Sequence, residues 1–432
     1  MTRPHRAGPS ADQPAPSVAA GTASVAICNW RDLTHPEGGG SELYVETVAQ
    51  RLAARGNSVT ILCSRVSGRP ADEVRGGVRY LRSGGKRTVY LRAAWSLLTA
   101  KVRPDVVLDV QNGLPFLSPL VTRRPVTVLL HHVHREQWPI VFGRLGGAVG
   151  WWLESNLGPH LYRGSRYVTV SECTRQELAE QGITPPRVSV AHNGTPAVLS
   201  AGLGRSATPR VVVLGRLVPH KRVEICIRAA AVLRTRLPEL RLDVIGQGWW
   251  ADPLHKLARE LAVDDIVTFH GFVDDQRKAD LLHQAWVNAV PSIKEGWGLS
   301  VVEAASQGTP SIAFTDAGGL SESILGGRTG VLVHGDDAAF VRALAALLED
   351  PHLCAALGEH AMSRAAEFDW EDAVATVAGV LDSSLGHLAL TVPRGEDGTC
   401  LGQDSQTFDQ LIPSRLTEGL CTTIYSTGET QC

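Results

Sequence analysis

The 432-residue chain has no C-x-x-C pair, no uncharged apolar run of membrane-spanning length, and no large excess of either charge. Each absence removes a class of function. The cysteines stand singly, from Cys28 to Cys432, which argues against a zinc site and for a reducing, cytoplasmic compartment. A net charge of −2 gives no pull toward nucleic acid. No G-x-G-x-x-G follows a strand pattern, so no dinucleotide cofactor is expected. No Asp-x-Asp stands at a strand end, so no metal is expected to hold a phosphate. Residues 1–22, rich in Ala, Pro, Ser and Gly, lack the apolar core of a signal peptide and read as a disordered leader.

What is present is an alternation of short apolar runs with helical stretches, twice over. A chain of this length suggests two cores of near-equal size. Ser24–Asn29, Ser58–Cys63, Pro104–Asp109, Val126–Leu130, Tyr167–Ser171 and Arg187–Ala191 read as strands of a first domain, 23–194. Polar residues 195–209 read as a linker. Arg210–Leu214, Leu240–Gly246, Ile266–His270, Trp286–Val290, Ser311–Thr315 and Gly330–Val333 repeat the pattern in a second domain, 210–385, which ends in a helix, Trp370–Ser384. Residues 386–432 turn polar and irregular and read as a poorly ordered tail. The fold class expected is α/β: two Rossmann-like, doubly wound parallel-sheet domains facing a cleft.

The chemistry concentrates in one stretch, VPSIKEGWGLSVVEAASQGTP, from Val290 to Pro310. A strand runs into a Pro–Ser turn, a loop with Lys294 and Glu295 at its centre, and a short helix, Leu299–Gln307. Gly296 and Gly298 let backbone approach a ligand closely. The helix start behind them offers unpaired N–H groups. Glu303 lies one to two turns into that helix. Two further cations, Arg216 after a strand and Lys221 at the next helix start, point toward the same crevice at the carboxyl ends of the strands. Such a set of carboxylates, cations and helix N–H groups suits a polyhydroxylated, phosphorylated ligand. His131-His132-Val133-His134 ends another strand. Alternate strand residues face opposite ways, and no nearby Cys or Asp completes a chelate, so a metal site is not expected there.

Glu295 and Glu303, in the setting PSIKEGWGLSVVEA, resemble the double-glutamate signature of the retaining GT-B glycosyltransferases of family 4 type, the glycosyl transferases group 1. The G-R-L-x-x-x-K run at Gly215–Lys221 and the loop Glu37-Gly38-Gly39-Gly40-Ser41-Glu42, which carries a Gly-Gly-x-Glu pattern, are similar to further motifs of that family, and the likeness runs from about Ser24 to Leu381. The resemblance implies a hexosyltransferase using a UDP- or GDP-sugar as co-substrate, with retention of anomeric configuration and no metal. It implies that Arg216 and Lys221 clamp the diphosphate, that Glu295 faces the donor sugar, and that Glu303 bonds the ribose. Gly246, Gly296, Gly298, Leu299 and Ser300 would line the donor and Val273 would meet the base. Gly39 and Gly40 would lie between diphosphate and acceptor. One histidine would touch the sugar, with His131 the better fit and His132 the alternative. Gly318, Gly319 and Glu322 resemble a further loop near the donor.

The resemblance implies a hydroxyl acceptor: a glycan, a lipid-linked sugar or a small natural product. Its surfaces are expected in the first domain, on the glycine loop, the basic Arg65–Arg92 segment and the aromatic Trp138–Trp152 segment, although the whole basic run Arg65–Arg103 otherwise reads as a solvated face. Basic and aromatic side chains together leave open a peripheral contact with the inner membrane face. The competing readings are a nucleotide-sugar hydrolase or epimerase of the same fold and a non-catalytic sugar binder.

Overall fold

The computed structural model describes residues 22–199 and 202–386. The expected leader, apart from Thr22, and the expected tail, apart from Gly386, lie outside the described residues, as do positions 200 and 201 of the expected linker.

Fourteen strands are formed among the described residues. β1 (Ser24–Cys28), β2 (Ser58–Cys63), β3 (Asp72–Arg75), β4 (Val78–Arg82), β5 (Val106–Gln111), β6 (Val126–Leu130), β7 (Arg166–Thr169) and β8 (Val188–Val190) make one sheet in the order β3-β4-β2-β1-β5-β6-β7-β8. β9 (Arg210–Leu214), β10 (Arg241–Ile245), β11 (Val267–Gly271), β12 (Val287–Val290), β13 (Ser311–Phe314) and β14 (Gly330–Val333) make a second in the order β11-β10-β9-β12-β13-β14. All pairings are parallel except the β3–β4 hairpin. The central strands are apolar on both faces because helices cover both, as parallel sheets require. Val25, Ile27, Val106 and Leu108 are fully buried in the first sheet, and Val212, Val244 and Ile312 in the second.

The order of strands brings the carboxyl ends of β1, β5 and β6 together, and likewise those of β9, β10 and β12. These two edges face each other. The backbone of Gly296 lies against the carbonyl of His131, and Gly39 lies against the Arg216 side chain. Lys294 bridges to Glu177 and Glu136 on the first side. The Trp297 ring stacks on His192 at 4.3 Å between ring centres and is buried in the core of the first half.

Three sequence expectations are corrected. The final helix, Trp370–Leu385, follows the second sheet in sequence but packs on the first, its Val374, Val377 and Leu381 joining Val25 and Leu108 in one core. Arg51 and Arg55 hold its start through Glu371. The stretch Arg65–Arg103 is not simply a solvated basic face. Gly76 and Gly77, both at positive φ, make a two-residue hairpin turn between β3 and β4. Arg82 is wholly buried there, paired with Asp32 and Glu73 at 2.6 Å. Third, the helix Pro351–Ala365 forms where no element was expected.

Candidate active site

Arg216, Lys221, Glu295 and His131 stand at strand ends, helix starts or in the loops between them, and Glu303 lies in the second turn of its helix. Arg216 follows β9, and Lys221 closes a single 3-10 turn, Pro219–Lys221, ahead of the helix Glu224–Leu233. The loop 291–298 leaves β12 and delivers Glu295. Gly298, at φ +87°, turns the chain into the helix Leu299–Ser306. A Cβ there would collide with Leu320, so both the space and the backbone conformation demand glycine. Leu299 and Ser300 open the helix, where the first N–H groups have no intrahelical acceptor. Leu299 also touches the other half, because Gly40 lies against its side chain.

Lys221 Nζ bonds Glu295 Oε1, and the Ser292 hydroxyl donates to the same oxygen at 2.7 Å. Burial alone would raise the Glu295 carboxyl. The ammonium and the hydroxyl outweigh it, and the group lies below the usual carboxylate range. Glu303 goes the other way. It is buried, accepts from Lys278 Nζ at 2.8 Å, and burial still raises it despite that cation. The two glutamates therefore differ in proton affinity because of what surrounds them.

Arg216 is half-buried and, among the described residues, has no carboxylate within ion-pair distance. Burial and the neighbouring guanidinium of Arg31 both act against its charge. Arg31 is paired at 2.9 Å with Glu42, a fully buried carboxylate that also accepts the Gly39 N–H at 2.7 Å. Glu42 thus shapes the glycine loop and caps the helix Gly40–Ala54. An unpaired guanidinium in a crevice, with a second one near it, is a place for an anion.

His131 is 6% exposed, edge-on to the Tyr44 ring at 5.3 Å, and its Nε2 has no hydrogen-bond partner. His132 differs: its Nε2 meets the Gln137 amide at 2.8 Å. His134 is held by Glu154, which also takes the Trp138 indole N–H at 2.5 Å. Burial pushes the His131 imidazole down to about 4 against the upward pull of Glu42, and His220 is likewise pushed down to about 4. In an unfolded chain such rings titrate near 6.5. Between the two values the unfolded chain binds protons that the folded chain does not, so stability falls as pH drops from about 6.5 to about 4. Denaturant midpoints at pH 7 and pH 5 should therefore differ, and His131→Gln should reduce the difference. An unchanged difference would contradict a neutral, buried His131.

The remaining candidates are dispersed. Gly246 packs against the carbonyl of Gly215, so it shapes the Arg216 turn. Val273 is half-buried and packs against the small apolar cluster that holds Ile245 and Leu282. Glu322 does not turn to the donor side. Its two oxygens accept the N–H groups of Glu172 and Cys173 at 2.8 and 2.6 Å, capping a helix of the first half. Sequence reasoning missed Arg31, Ser292 and Lys278. Only Ser292, beside the Pro–Ser turn, carried a local signal.

Comparison with known proteins adds two family matches that meet near the linker. Residues 38–199 match Glycosyltransferase Family 4, and residues 202–364 match Glycosyl transferases group 1. The chain is 37% identical over 241 residues to the D-inositol 3-phosphate glycosyltransferase 2 of Catenulispora acidiphila, covering 50% of this chain and 56% of that one. It is 28% identical over 412 residues to the D-inositol 3-phosphate glycosyltransferase of Streptomyces avermitilis, covering 81% and 84%. The matched stretch thus spans little more than half the length of the first of these relatives. Among solved structures, sucrose-phosphate synthase from Thermosynechococcus elongatus superposes with a TM-score of 0.69 at 20% identity, over 84% of this chain and 99% of that one. Anabaena Alr3699/HepE, in complex with UDP-glucose, gives 0.63 at 18%, over 84% and 100%.

Proposed function

The chain belongs to the family 4 glycosyltransferases, of the GT-B fold, and on that premise we propose that it transfers a hexose from a nucleoside diphosphate sugar to a hydroxyl acceptor with retention of configuration. The observation that carries this reading is the unpaired Arg216 beside the Lys221–Glu295 pair, at the crevice where the two carboxyl edges meet. Breaking the bond from anomeric carbon to phosphate oxygen puts negative charge on the diphosphate and positive charge on the sugar ring. Arg216 and Lys221 would meet the first. Glu295, kept ionised by Lys221, would accept from sugar hydroxyls and tolerate the second. The first N–H groups of the helix Leu299–Ser306 add donors of fixed direction.

Glu303 would accept from the ribose, sharing its carboxylate with Lys278. Neutral His131, with Nε2 unpartnered, would bond a sugar hydroxyl at the border with the acceptor. His132 is the weaker choice because Gln137 already engages its Nε2. Gly39 and Gly40 close the acceptor side of the crevice. The acceptor class that best suits both the family and the named relatives is a small polyhydroxylated compound, a phosphorylated cyclitol among them.

A panel of UDP- and GDP-sugars, each with and without inositol 3-phosphate or a simple glycoside, tests the reading through nucleotide release and product mass. Acceptor-dependent release with a product of axial or equatorial linkage matching the donor, read by NMR coupling, is expected. Release without an acceptor adduct would favour a hydrolase. Binding with no release would favour a sugar binder. Because two cations face the diphosphate position, activity is expected to persist in EDTA. Complete loss, restored by Mg²⁺ or Mn²⁺, would overturn the charge argument.

A further inference from the structure

Between residues 86 and 166 the exposed charges are all positive. Arg87, Arg92, Arg123, Arg124, Arg144 and Arg163 are exposed, and among the described residues none is within ion-pair distance of a carboxylate. Each of the four carboxylates of the stretch is buried or already partnered, Glu136 with its side chain 39% exposed. Asp109 and Glu154 are buried, Asp105 accepts the Ser24 N–H at 2.9 Å, and Glu136 faces Lys294.

The same stretch shows large apolar side chains to solvent. Leu91, Trp95 and Leu98 lie on one face of the helix Val89–Leu98. In Gln137–Trp152 the helix breaks at Gly143, φ +70° and ψ 179°, and folds back on itself. Gly147 lies against Pro139, and Gly150 against the Trp138 ring, which Glu154 anchors. The result is a helical hairpin with Phe142 and Leu145 on either side of the bend, 60% and 86% exposed. The inner sides of both elements belong to one core: Val89, Ala93 and Leu97 pack with Tyr162, and Trp151 packs against the same cluster. Their outer sides therefore look out from the same face of the first sheet.

We propose that this face docks on an anionic lipid bilayer, the Phe142–Leu145 tip entering the headgroup region and the arginines meeting phosphates. A second copy of the chain fits less well. A twofold contact would set these arginines against one another with only Glu136, part-exposed and already facing Lys294, to receive them. The inference does not depend on the glycosyl-transfer reading, since it needs no donor or acceptor.

The full chain would be sedimented with vesicles of phosphatidylcholine alone or with added phosphatidylglycerol, at low and physiological ionic strength. Binding is expected to the anionic vesicles, weakening with salt. Phe142→Ser with Leu145→Ser, and separately Arg87→Glu with Arg92→Glu, should each lower partitioning about tenfold or more. All four positions are exposed, so thermal midpoints should stay near that of the parent chain. No binding to anionic vesicles at low salt, or equal binding by parent and both variants, would overturn the proposal. So would a dimer in the absence of lipid that the tip variant converts to a monomer, which would assign the face to a second copy.

Discussion

Arg216→Ala and Lys221→Ala are each expected to lower turnover by about 10²-fold or more, as loss of a cation aimed at developing charge does. The two should differ in kind. Arg216 has no carboxylate partner among the described residues, so its removal leaves no charge stranded and the fold should keep its thermal midpoint. Lys221 is bonded to Glu295, and its removal leaves a half-buried carboxylate with Ser292 as its remaining side-chain hydrogen-bond donor among the described residues. The Glu295 carboxyl should then rise, and the acidic limb of the pH–rate profile should move to higher pH. Lys221→Met combined with Glu295→Gln should restore the midpoint without restoring turnover. Near-normal turnover in both single alanine variants would sink the assignment of the clamp.

A comparably large loss is expected from one methyl group at Gly296. A Cβ there would lie far inside contact distance of the His131 carbonyl, with Val170 at 3.2 Å behind it. Neither neighbour can swing aside, because the first is the backbone of the β6 end and the second is buried. The loop carrying Glu295 must therefore retreat from the first sheet, which opens the crevice. Displacement of about 1 Å at a reacting centre can cost roughly 10²-fold in rate. Gly296→Ala should lose at least that in kcat/KM, and its scattering radius with saturating nucleotide should exceed that of the parent chain. Unchanged kinetics and radius would mean that the two halves need not meet at this point.

The strands and most helices were legible in the sequence because parallel strands are short apolar runs bounded by polar or glycine residues, and β2, β6, β9 and β14 begin and end where the pattern does. The β3–β4 hairpin had its signal too. Gly76-Gly77 between DEVR and VRYLR is a two-residue turn motif, masked by the number of arginines around it. The site was legible only where function and local backbone coincide, as at Glu295, Gly298 and Arg216. Lys278 is an isolated charged residue in a helix and reads as solvated surface, while Glu322, read with Gly318 and Gly319 as part of a donor-side loop, caps a helix of the first half instead. Tertiary packing alone brings Lys278 to Glu303 and turns Glu322 across to the start of the helix at Glu172, whereas Glu42 reaches Gly39 within one helical turn, as a capping box. The return of Trp370–Leu385 to the first sheet was likewise unreadable, since an amphipathic helix does not say which sheet it will cover.

That returning helix also orders events during synthesis. One face of the first sheet takes part of its cover from Gly40–Ala54 and the rest from Trp370–Leu385. Residue 385 leaves the ribosome long after β8 has done so, a delay of roughly tens of seconds at the usual rate of elongation. For that interval the nascent first half presents a partly bare apolar sheet, and only completion of the second half supplies its missing layer. The emerging chain should therefore be a client of chaperones over this window. Release of translation at the linker should give an aggregating fragment rather than a free-standing amino-terminal domain.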